Sequence, residues 1–257
     1  MSKEMKAYCI GHTMPLFTPP VSFEMLCPVS LGIPNELVID DRRFGGQVDG
    51  GELAEYSQLF GLHDLLLSGD VVAEHLYLFQ YRKFISTTVG GAESASPWVR
   101  VLTPQLAPGV FPSGEQLNAF SGRLAVGSVF DFGESISCNY ARVHVIDDLV
   151  MFAAACAQSG VMDPADIKSF ASLRGIIPSP AVCCIHVDVF MKLMQTLKAV
   201  WNSYSPHYHV QRSGYQRRVA GYLLERLHSF LLCKWLMDNS EPHIQLWQRY
   251  VVAEATN

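Results

Sequence analysis

The sequence has little charge and no long uninterrupted apolar run. Asp, Glu, Lys and Arg make up 17% of its 257 residues, against roughly 25% in an average soluble protein, whereas 49% of the residues are hydrophobic. This composition excludes intrinsic disorder and predicts a large buried core. Mean hydropathy is +0.16, yet no apolar stretch approaches the ~18 residues that a membrane-spanning helix needs.

Common cysteine and catalytic motifs are missing too. The seven cysteines form no C-x-x-C pair, and most lie in apolar segments, where free cysteine behaves as a small hydrophobe. No G-x-G-x-x-G, P-loop, G-x-S-x-G, H-E-x-x-H or Asp-x-Asp occurs. The opening Met-Ser-Lys-Glu-Met-Lys precedes an apolar run too short for a signal peptide. A reduced, cytoplasmic protein is predicted.

Acidic residues outnumber basic ones, 24 to 19, and give a formal net charge of −5. A protein that binds nucleic acid through its overall charge is therefore not expected. The basic stretch 212–226 is the segment where a local patch remains open as an alternative.

Hydrophobic periodicity predicts alternating strands and helices in a single domain, residues 1–257. The predicted strands are 6–10, 75–84, 123–132 and 181–187, with irregular segments at 13–36 and 86–122. The predicted helices are 53–67, 147–157, 163 onward, 188–201 and 215–235, with N-caps at Asp49, Asp147, Asp163 and Asp188. This alternation favours an α/β layered fold with a mostly parallel sheet.

In parallel sheets, ligands bind beyond the carboxyl ends of the strands. The segments predicted to lie there are Gly11-His12, Gln80-Tyr81-Arg82-Lys83 and the loops after residues 131 and 187. Two cations beside a tyrosine at a strand end can hold a diphosphate or a carboxylate. An ordinary strand terminus that reaches solvent is the alternative.

A second polar cluster lies in the last predicted helix. Arg218, Gly221 and Glu225 are spaced so that they share one helix face. Glycine costs about 1 kcal/mol in a helix, so a side chain at Gly221 is expected to obstruct something. The alternative is a surface helix with an Arg–Glu pair.

Metal and thiol chemistry have weaker support. His207 and His209 have no third ligand at a suitable spacing, so a solvated loop is expected there. Cys183, Cys184 and His186 fall in a predicted strand, where burial explains the thiols better than nucleophilic catalysis does.

Two segments carry a family resemblance. Residues 56–66 read Tyr-Ser-Gln-Leu-Phe-Gly-Leu-His-Asp-Leu-Leu, and residues 76–84 read Leu-Tyr-Leu-Phe-Gln-Tyr-Arg-Lys-Phe. They resemble the helix Glu-Leu-Thr-Ala-Leu-Tyr-Trp and the strand ending His-Tyr-Arg-Arg-Tyr-Phe of bacterial capsule and exopolysaccharide glycosyltransferases. Residues 215–229 resemble that family's closing motif, Tyr-Gln-x-Arg-x-x-Gly-Phe-x-x-Glu-Arg-Leu. Gln80 and Lys83 depart from the family's His and Arg.

The resemblance implies a glycosyltransferase-A type fold, a nucleotide-sugar donor, and a glycan or lipid-linked glycan acceptor in capsule, O-antigen or exopolysaccharide synthesis. Donor or substrate binding is expected at His12, Tyr81, Arg82, Lys83, Arg218, Gly221 and Arg226. Arg218 would contact phosphate, Gly221 would leave room for the sugar, and Arg226 would pair with a neighbouring acid. Glu225 is the expected catalytic carboxylate, as the group that orients a hydroxyl or takes its proton.

The basic side chains are expected to replace a metal at the leaving diphosphate, so no metal ligand set is predicted. A divalent cation, Mn or Mg, remains an alternative, with Asp131, Asp147 or Asp148 as its ligand. Peripheral contact with the inner membrane face is predicted around Trp235 and Trp247. A non-catalytic glycan- or partner-binding module on the same fold is the alternative function, because the His-Tyr-Arg-Arg motif is altered.

Overall fold

The computed structural model describes residues 4–44, 52–239 and 243–253, in which strands and helices alternate. The strands are β1 Met5–Ile10, β2 Glu24–Cys27, β3 Glu36–Val38, β4 His75–Gln80, β5 Lys83–Ser86, β6 Ala92–Glu93, β7 Arg100–Leu102, β8 Leu124–Gly127, β9 Phe130–Asp131, β10 Gly175–Ile176, β11 Cys183–His186 and β12 Ile244–Val252. The helices are α1 Tyr56–Ser68, α2 Ala107–Val110, α3 Gly114–Asn118, α4 Ile136–Val143, α5 Ile146–Gln158, α6 Pro164–Ser172, α7 Val187–Tyr204 and α8 Val219–Asp238. Short 3-10 turns lie at Asp41–Phe44 and Gly214–Arg218.

The large sheet is mixed, so the prediction of a mostly parallel sheet is wrong. Its order is β3-β2-β1-β4-β11-β8-β12-β7-β6, and β5 pairs with both β4 and β12. β1 runs parallel to β2 and β4, and β12 runs parallel to β7 and β8. β11 is antiparallel to both of its neighbours, and β5 reverses after β4. The turn Tyr81-Arg82 is too short for the crossover that a parallel neighbour of β4 would need.

The sheet separates two apolar clusters, because successive side chains of a strand point to opposite faces. In β1, Tyr8 and Ile10 join the cluster that the helices α1, α5, α7 and α8 cover. Ala7 and Cys9 join the cluster on the other face, which is rich in phenylalanine. The two faces together bury the large apolar fraction that the composition predicts.

Burial also settles the state of the predicted strand cysteines. Cys183 and Cys184 are buried in β11, as predicted. Desolvation raises the pKa of the Cys183 thiol to about 12 and that of Cys184 well above its ordinary value. Neither thiol is therefore a thiolate at neutral pH, which excludes them as nucleophiles.

Several segments differ from their predicted structure. The predicted irregular segment 13–36 contains β2 and the start of β3, and 86–122 contains β6, β7, α2 and α3. These elements have two to five residues each, too few to show a period in sequence. The predicted helix 215–235 begins as the 3-10 turn Gly214–Arg218 and becomes α-helical at Val219.

The predicted helix caps are right in one case and wrong in two. The side chain of Asp163 accepts a hydrogen bond from the Ala165 N–H, 2.7 Å away, as predicted. Asp147 and Asp188 lie inside the first turns of α5 and α7, where acids favour the helix dipole. The cap of α7 is His186, whose Nδ1 accepts from the Asp188 N–H at 3.2 Å. Asp49 lies outside the described residues.

The two tryptophans predicted to touch a membrane differ in exposure. Trp247 is 5% exposed and packs edge-on against Phe120, and Trp235 is half-buried against the helical cluster. This excludes Trp247 as a surface anchor. Within the residues that the structure describes, none of the helices combines the length and apolarity of a bilayer-crossing segment.

Candidate active site

A cavity of about 520 Å³ opens where β1 and β4 end. Every predicted site residue except Arg226 lines it: His12, Tyr81, Arg82, Lys83, Arg218, Gly221 and Glu225. Gly11 and Gln80, from the two predicted strand-end segments, line it as well. Further lining residues that the sequence analysis did not single out are Ile10, Pro28, Ala54, Glu55, Gln58, Tyr215 and Tyr222. The two sequence clusters, far apart in the chain, therefore meet in one cavity.

Strand direction decides which loops reach this cavity. The loop after residue 187 was predicted to lie there, but β11 is antiparallel to β4 and therefore ends at the opposite edge of the sheet. The turn that precedes β11 is at the cavity edge instead, since Ser179 bonds to Lys83 and Glu225. The loop after residue 131 contributes no lining residue.

The predicted strand-end cluster forms the tight turn between β4 and β5. The backbone of this turn is fixed by two bonds, in which Leu16 N–H donates to Tyr81 O at 2.9 Å and Val252 N–H donates to Arg82 O at 2.8 Å. The Tyr81 ring lies between its neighbours, with the His12 ring centroid at 5.7 Å and the Arg82 guanidinium carbon at 5.4 Å. Arg82 is exposed at the cavity mouth.

Ser179 connects the two clusters inside the protein. Lys83 Nζ donates to Ser179 Oγ at 3.0 Å, and the Ser179 N–H donates to Glu225 Oε1 at 3.2 Å. Ser179 has a φ of +51° and is 8% exposed. A buried serine in the left-handed region is strained and is held there by its surroundings. Its hydroxyl holds an ammonium group and its backbone N–H holds a carboxylate.

Glu55 is the functional candidate that sequence reasoning missed. It occupies the N-cap position of α1, its side chain is 15% exposed, and its Oε2 lies 3.8 Å from the half-exposed guanidinium of Arg218. Desolvation and the nearby Glu225 raise the pKa of Glu55, against the opposing effects of Lys83 and Arg218. The cavity thus holds two carboxyl groups that repel each other.

Gly221 has a different reason for being glycine than the one predicted. A Cβ there would lie 2.8 Å from the Ala54 Cβ and 3.4 Å from Glu52 O. The Gly221 N–H donates to Glu52 O at 2.9 Å. The close approach of segment 52–54 therefore requires glycine, and the space beside it is filled by protein rather than left for a sugar.

Arg226 lies behind the cavity and does not make the predicted pair with a neighbouring acid. Its guanidinium carbon lies 4.9 Å from the Tyr140 ring centroid, and its Nη1 donates to Tyr222 O at 3.1 Å. Desolvation lowers the pKa of Arg226. Arg212, at the other end of the basic stretch, is paired with buried Asp148 at 2.8 Å. These two cations therefore do not contribute to a basic surface.

An aromatic cluster borders the cavity. Tyr215 is 67% exposed and stacks on His144, with centroids 5.8 Å apart and planes 3° apart. Tyr222 packs against both rings, at 5.3 Å from Tyr215 and 4.3 Å from His144. Burial lowers the pKa of His144, which favours its neutral form. The cavity is therefore bordered by aromatic rings on one side and lined by charged side chains on the other.

A larger cavity, of about 700 Å³, lies between α1 and α7. Both of its carboxylates are already paired with cationic or imidazole groups, although exposed Arg43 also lines it. Lys198 Nζ is 2.5 Å from Asp64 Oδ1, and His209 Nε2 is 3.0 Å from Glu52 Oε2. The pairing of His209 departs from the predicted solvated loop, whereas His207 is exposed as predicted. Although this cavity is larger than the 520 Å³ cavity, it is therefore the weaker candidate for the active site.

The candidate acids for a divalent cation lie elsewhere. Asp131, Asp147 and Asp148 do not line the 520 Å³ cavity, and Arg212 occupies the carboxylate of Asp148. Among the described residues, Glu74, His75 and His186 form a group whose ligand atoms lie within 4.8 Å of one another. That group sits where β4 begins and β11 ends, at the sheet edge opposite the cavity.

Comparison with known proteins found one kind of similarity, which is in the fold. No protein-family model and no curated protein matches the sequence. Among solved structures, the chain is similar to the bifunctional glycosyltransferase WbbM in its apo form, with a TM-score of 0.72 and 16% identity. The match covers 99% of this chain and 47% of WbbM, so the chain spans about half the length of that protein. The chain has the fold of part of a glycosyltransferase.

Proposed function

We propose that this protein transfers a sugar from a nucleotide-sugar donor to a hydroxyl group of a surface-glycan acceptor. The observation that carries the proposal is the cavity at the ends of β1 and β4, which combines Lys83, Arg82 and Arg218 with two carboxyl groups. The likeness of the fold to part of WbbM supports it. The same proposal assigns the fold to the glycosyltransferase-A type.

The donor would lie along the carboxyl ends of β1 and β4. One side of the cavity, formed by Gly11, His12 and Tyr81, suits a nucleotide base and ribose. The rings of His12 and Tyr81 line this side, and Gly11 has no side chain to cover its backbone. The diphosphate would bind Arg218 and Lys83, with Arg82 at the mouth. These cations stabilise the negative charge that develops on the leaving diphosphate.

Glu225 would orient a substrate hydroxyl. Its Oε1 already accepts the Ser179 N–H, which leaves Oε2 as the oxygen available to a ligand. A carboxylate held by a backbone donor keeps a fixed direction, which is what positioning requires. The acceptor would be a glycan or a lipid-linked glycan, with the exposed ring of Tyr215 beside its path, and the protein would act at the cytoplasmic side of the membrane.

The experiment is a panel of UDP-glucose, UDP-galactose, UDP-N-acetylglucosamine and GDP-mannose, with the matching nucleoside diphosphates. Calorimetry and thermal shift measure binding, and the release of nucleoside diphosphate measures donor hydrolysis with water as acceptor. We expect binding that Arg218→Met weakens at least tenfold. Arg174→Met is the matched control, since Arg174 is exposed and 3.6 Å from Asp131, outside the cavity. Glycan binding without nucleotide binding would support the binding-module alternative instead.

A further inference from the structure

Glu55 is the cavity carboxyl group that the roles above leave unused. Its side chain is 15% exposed, and it stands directly before α1, across from the guanidinium of Arg218. It lines the same cavity as Glu225. A carboxyl group in this position can touch a bound substrate.

The two carboxyl groups differ in what holds their charge. Glu225 accepts a hydrogen bond from the Ser179 N–H at 3.2 Å, so one of its oxygens already has a protein partner. The charged form of Glu55 is favoured by a hydrogen bond to its own backbone N–H and by Lys83 and Arg218, and the guanidinium of Arg218 is 3.8 Å away and 54% exposed. A bound diphosphate would compete for that guanidinium and so remove one of the cations that favour the charged form of Glu55.

The groups that act on Glu55 come from three elements. Glu225 on α8 repels its negative charge, while Lys83 on β5 and Arg218 before α8 attract it. Tyr56, the next residue on α1, is fully buried, and its pKa is raised by burial and by the charge of Glu55. Moving the two cations onto a phosphate leaves burial and Glu225 as the dominant influences, and both make Glu55 more basic.

We propose that Glu55 accepts the proton of the acceptor hydroxyl, and that donor binding prepares it for this role by drawing Arg218 toward the diphosphate. The role rests on the glycosyl transfer proposed above. Glu225 then acts as the fixed negative charge that keeps Glu55 basic.

The step is a single displacement with inversion at the sugar. The acceptor O–H bond breaks and its proton goes to Glu55, while the acceptor oxygen forms a bond to the anomeric carbon. The bond from that carbon to the phosphate oxygen breaks, and its electron pair leaves with the nucleoside diphosphate, whose charge Arg218 and Lys83 neutralise. When the diphosphate departs, Arg218 returns to Glu55 and the proton goes to water.

The first test measures protons during donor binding. Calorimetry of the tightest-binding nucleotide sugar of the panel is run at mildly acidic pH in buffers with different ionisation enthalpies. Because the two phosphates of a nucleotide sugar do not titrate there, any proton uptake comes from the protein. We expect uptake by the wild type, less uptake by Glu225→Gln because the charge that keeps Glu55 basic is removed, and none in Glu55→Gln. A binding enthalpy that does not depend on the buffer would overturn the proposal.

The second test separates catalysis from binding. Glu55→Gln should lower donor hydrolysis by roughly two to four orders of magnitude, the usual contribution of a general base, with donor affinity equal or tighter. Hydrolysis within tenfold of the wild type would overturn the proposal. If Glu55→Gln does not fold, the wild-type proton uptake decides alone. A wild type that binds no nucleotide sugar overturns the proposed function itself, and this role with it.

Discussion

Gly221 offers a direct test of how the cavity wall is built. Gly221→Ala adds one methyl group in the first turn of α8, 2.8 Å from the Ala54 Cβ and 3.5 Å from the Leu53 carbonyl carbon. Carbon atoms in good contact are about 3.5–4.0 Å apart. Segment 52–54 must therefore move away by most of an ångström, or the helix must.

The expected change in the free energy of unfolding combines one stabilising and two destabilising contributions. Alanine in place of glycine favours the helix by about 1 kcal/mol. Overpacking costs about 1–3 kcal/mol, because the atom in the way is the Cβ of a backbone-fixed alanine rather than the end of a flexible side chain. Lengthening the bond from Gly221 N–H to Glu52 O, now 2.9 Å, costs about 1 kcal/mol more. We expect a net loss of about 1–3 kcal/mol in the free energy of unfolding.

Urea unfolding measures this loss, and two further variants identify its cause. Gly109→Ala is the matched control, because Gly109 is a helical glycine with nothing within 4 Å of the added carbon. It should be neutral or slightly stabilising. Ala54→Gly removes the colliding methyl group, and glycine suits the φ of +50° at that position. The double variant Ala54→Gly/Gly221→Ala should therefore recover the stability that Gly221→Ala loses.

The reasoning fails if Gly221→Ala is as stable as the wild type or more so, or if Ala54→Gly does not rescue it. A functional consequence accompanies the expected result. Since Glu55 follows Ala54 in the chain, displacing this segment should also lower donor hydrolysis, and the double variant should restore it.

The remaining predictions concern pH, the turn at Ser179 and metal. Burial lowers the pKa of His228 to about 3 from 6.5, so the unfolded chain takes up a proton that the folded protein refuses, and stability falls as the pH drops below about 6.5. The free energy of unfolding should therefore fall by about 2 kcal/mol between pH 7 and pH 5. In urea unfolding, His228→Phe should remove this difference between the two pH values. The control Tyr56→Phe keeps the imidazole buried and should retain the difference. Ser179→Gly should raise the melting temperature by relieving the left-handed strain, and Ser179→Ala should not, yet both should weaken donor binding several-fold by releasing Lys83. Donor binding should survive a chelator, because cationic side chains replace the metal; recovery of lost binding on adding Mn or Mg would contradict this.

Local pattern was enough to predict the parts of the cavity that long elements carry. The hydrophobic runs of β1 and β4 placed Gly11-His12 and Gln80 at strand ends, as the structure has them. The predicted strand 75–84 is instead two antiparallel strands, with Tyr81-Arg82 as the turn between them. The i, i+3 and i+7 spacing of Arg218, Gly221 and Glu225 correctly predicted one shared surface. Such positions depend on the chain within a few turns of themselves, so periodicity finds them.

Long-range geometry could not be predicted in this way. Whether β11 runs with or against β4 depends on the turn at Ser179, and no local period encodes that direction. Glu55 shows the same limit, because an acid before a helix is commonly a partner of the helix dipole. Its significance arises from Arg218 and Glu225, which only folding brings near. The sequence predicted that a side chain at Gly221 would obstruct something, but not that the obstacle is Ala54, which lies far away in sequence.

The arrangement of charge in the cavity bears on whether the protein catalyses or only binds. Burying Glu55 beside Glu225 opposes folding, because desolvation and repulsion both disfavour its charge. A glycan-binding module needs hydrogen-bond partners and ring faces, such as Tyr215, but gains nothing from a carboxyl group kept basic. Enzymes place such pairs where a proton must move, since the environment sets the two carboxyl groups apart in proton affinity. The strained backbone of Ser179, which holds Glu225 and Lys83, is a second stability cost at the same site. Two such costs in one cavity, on a fold shared with part of a glycosyltransferase, favour catalysis over binding alone.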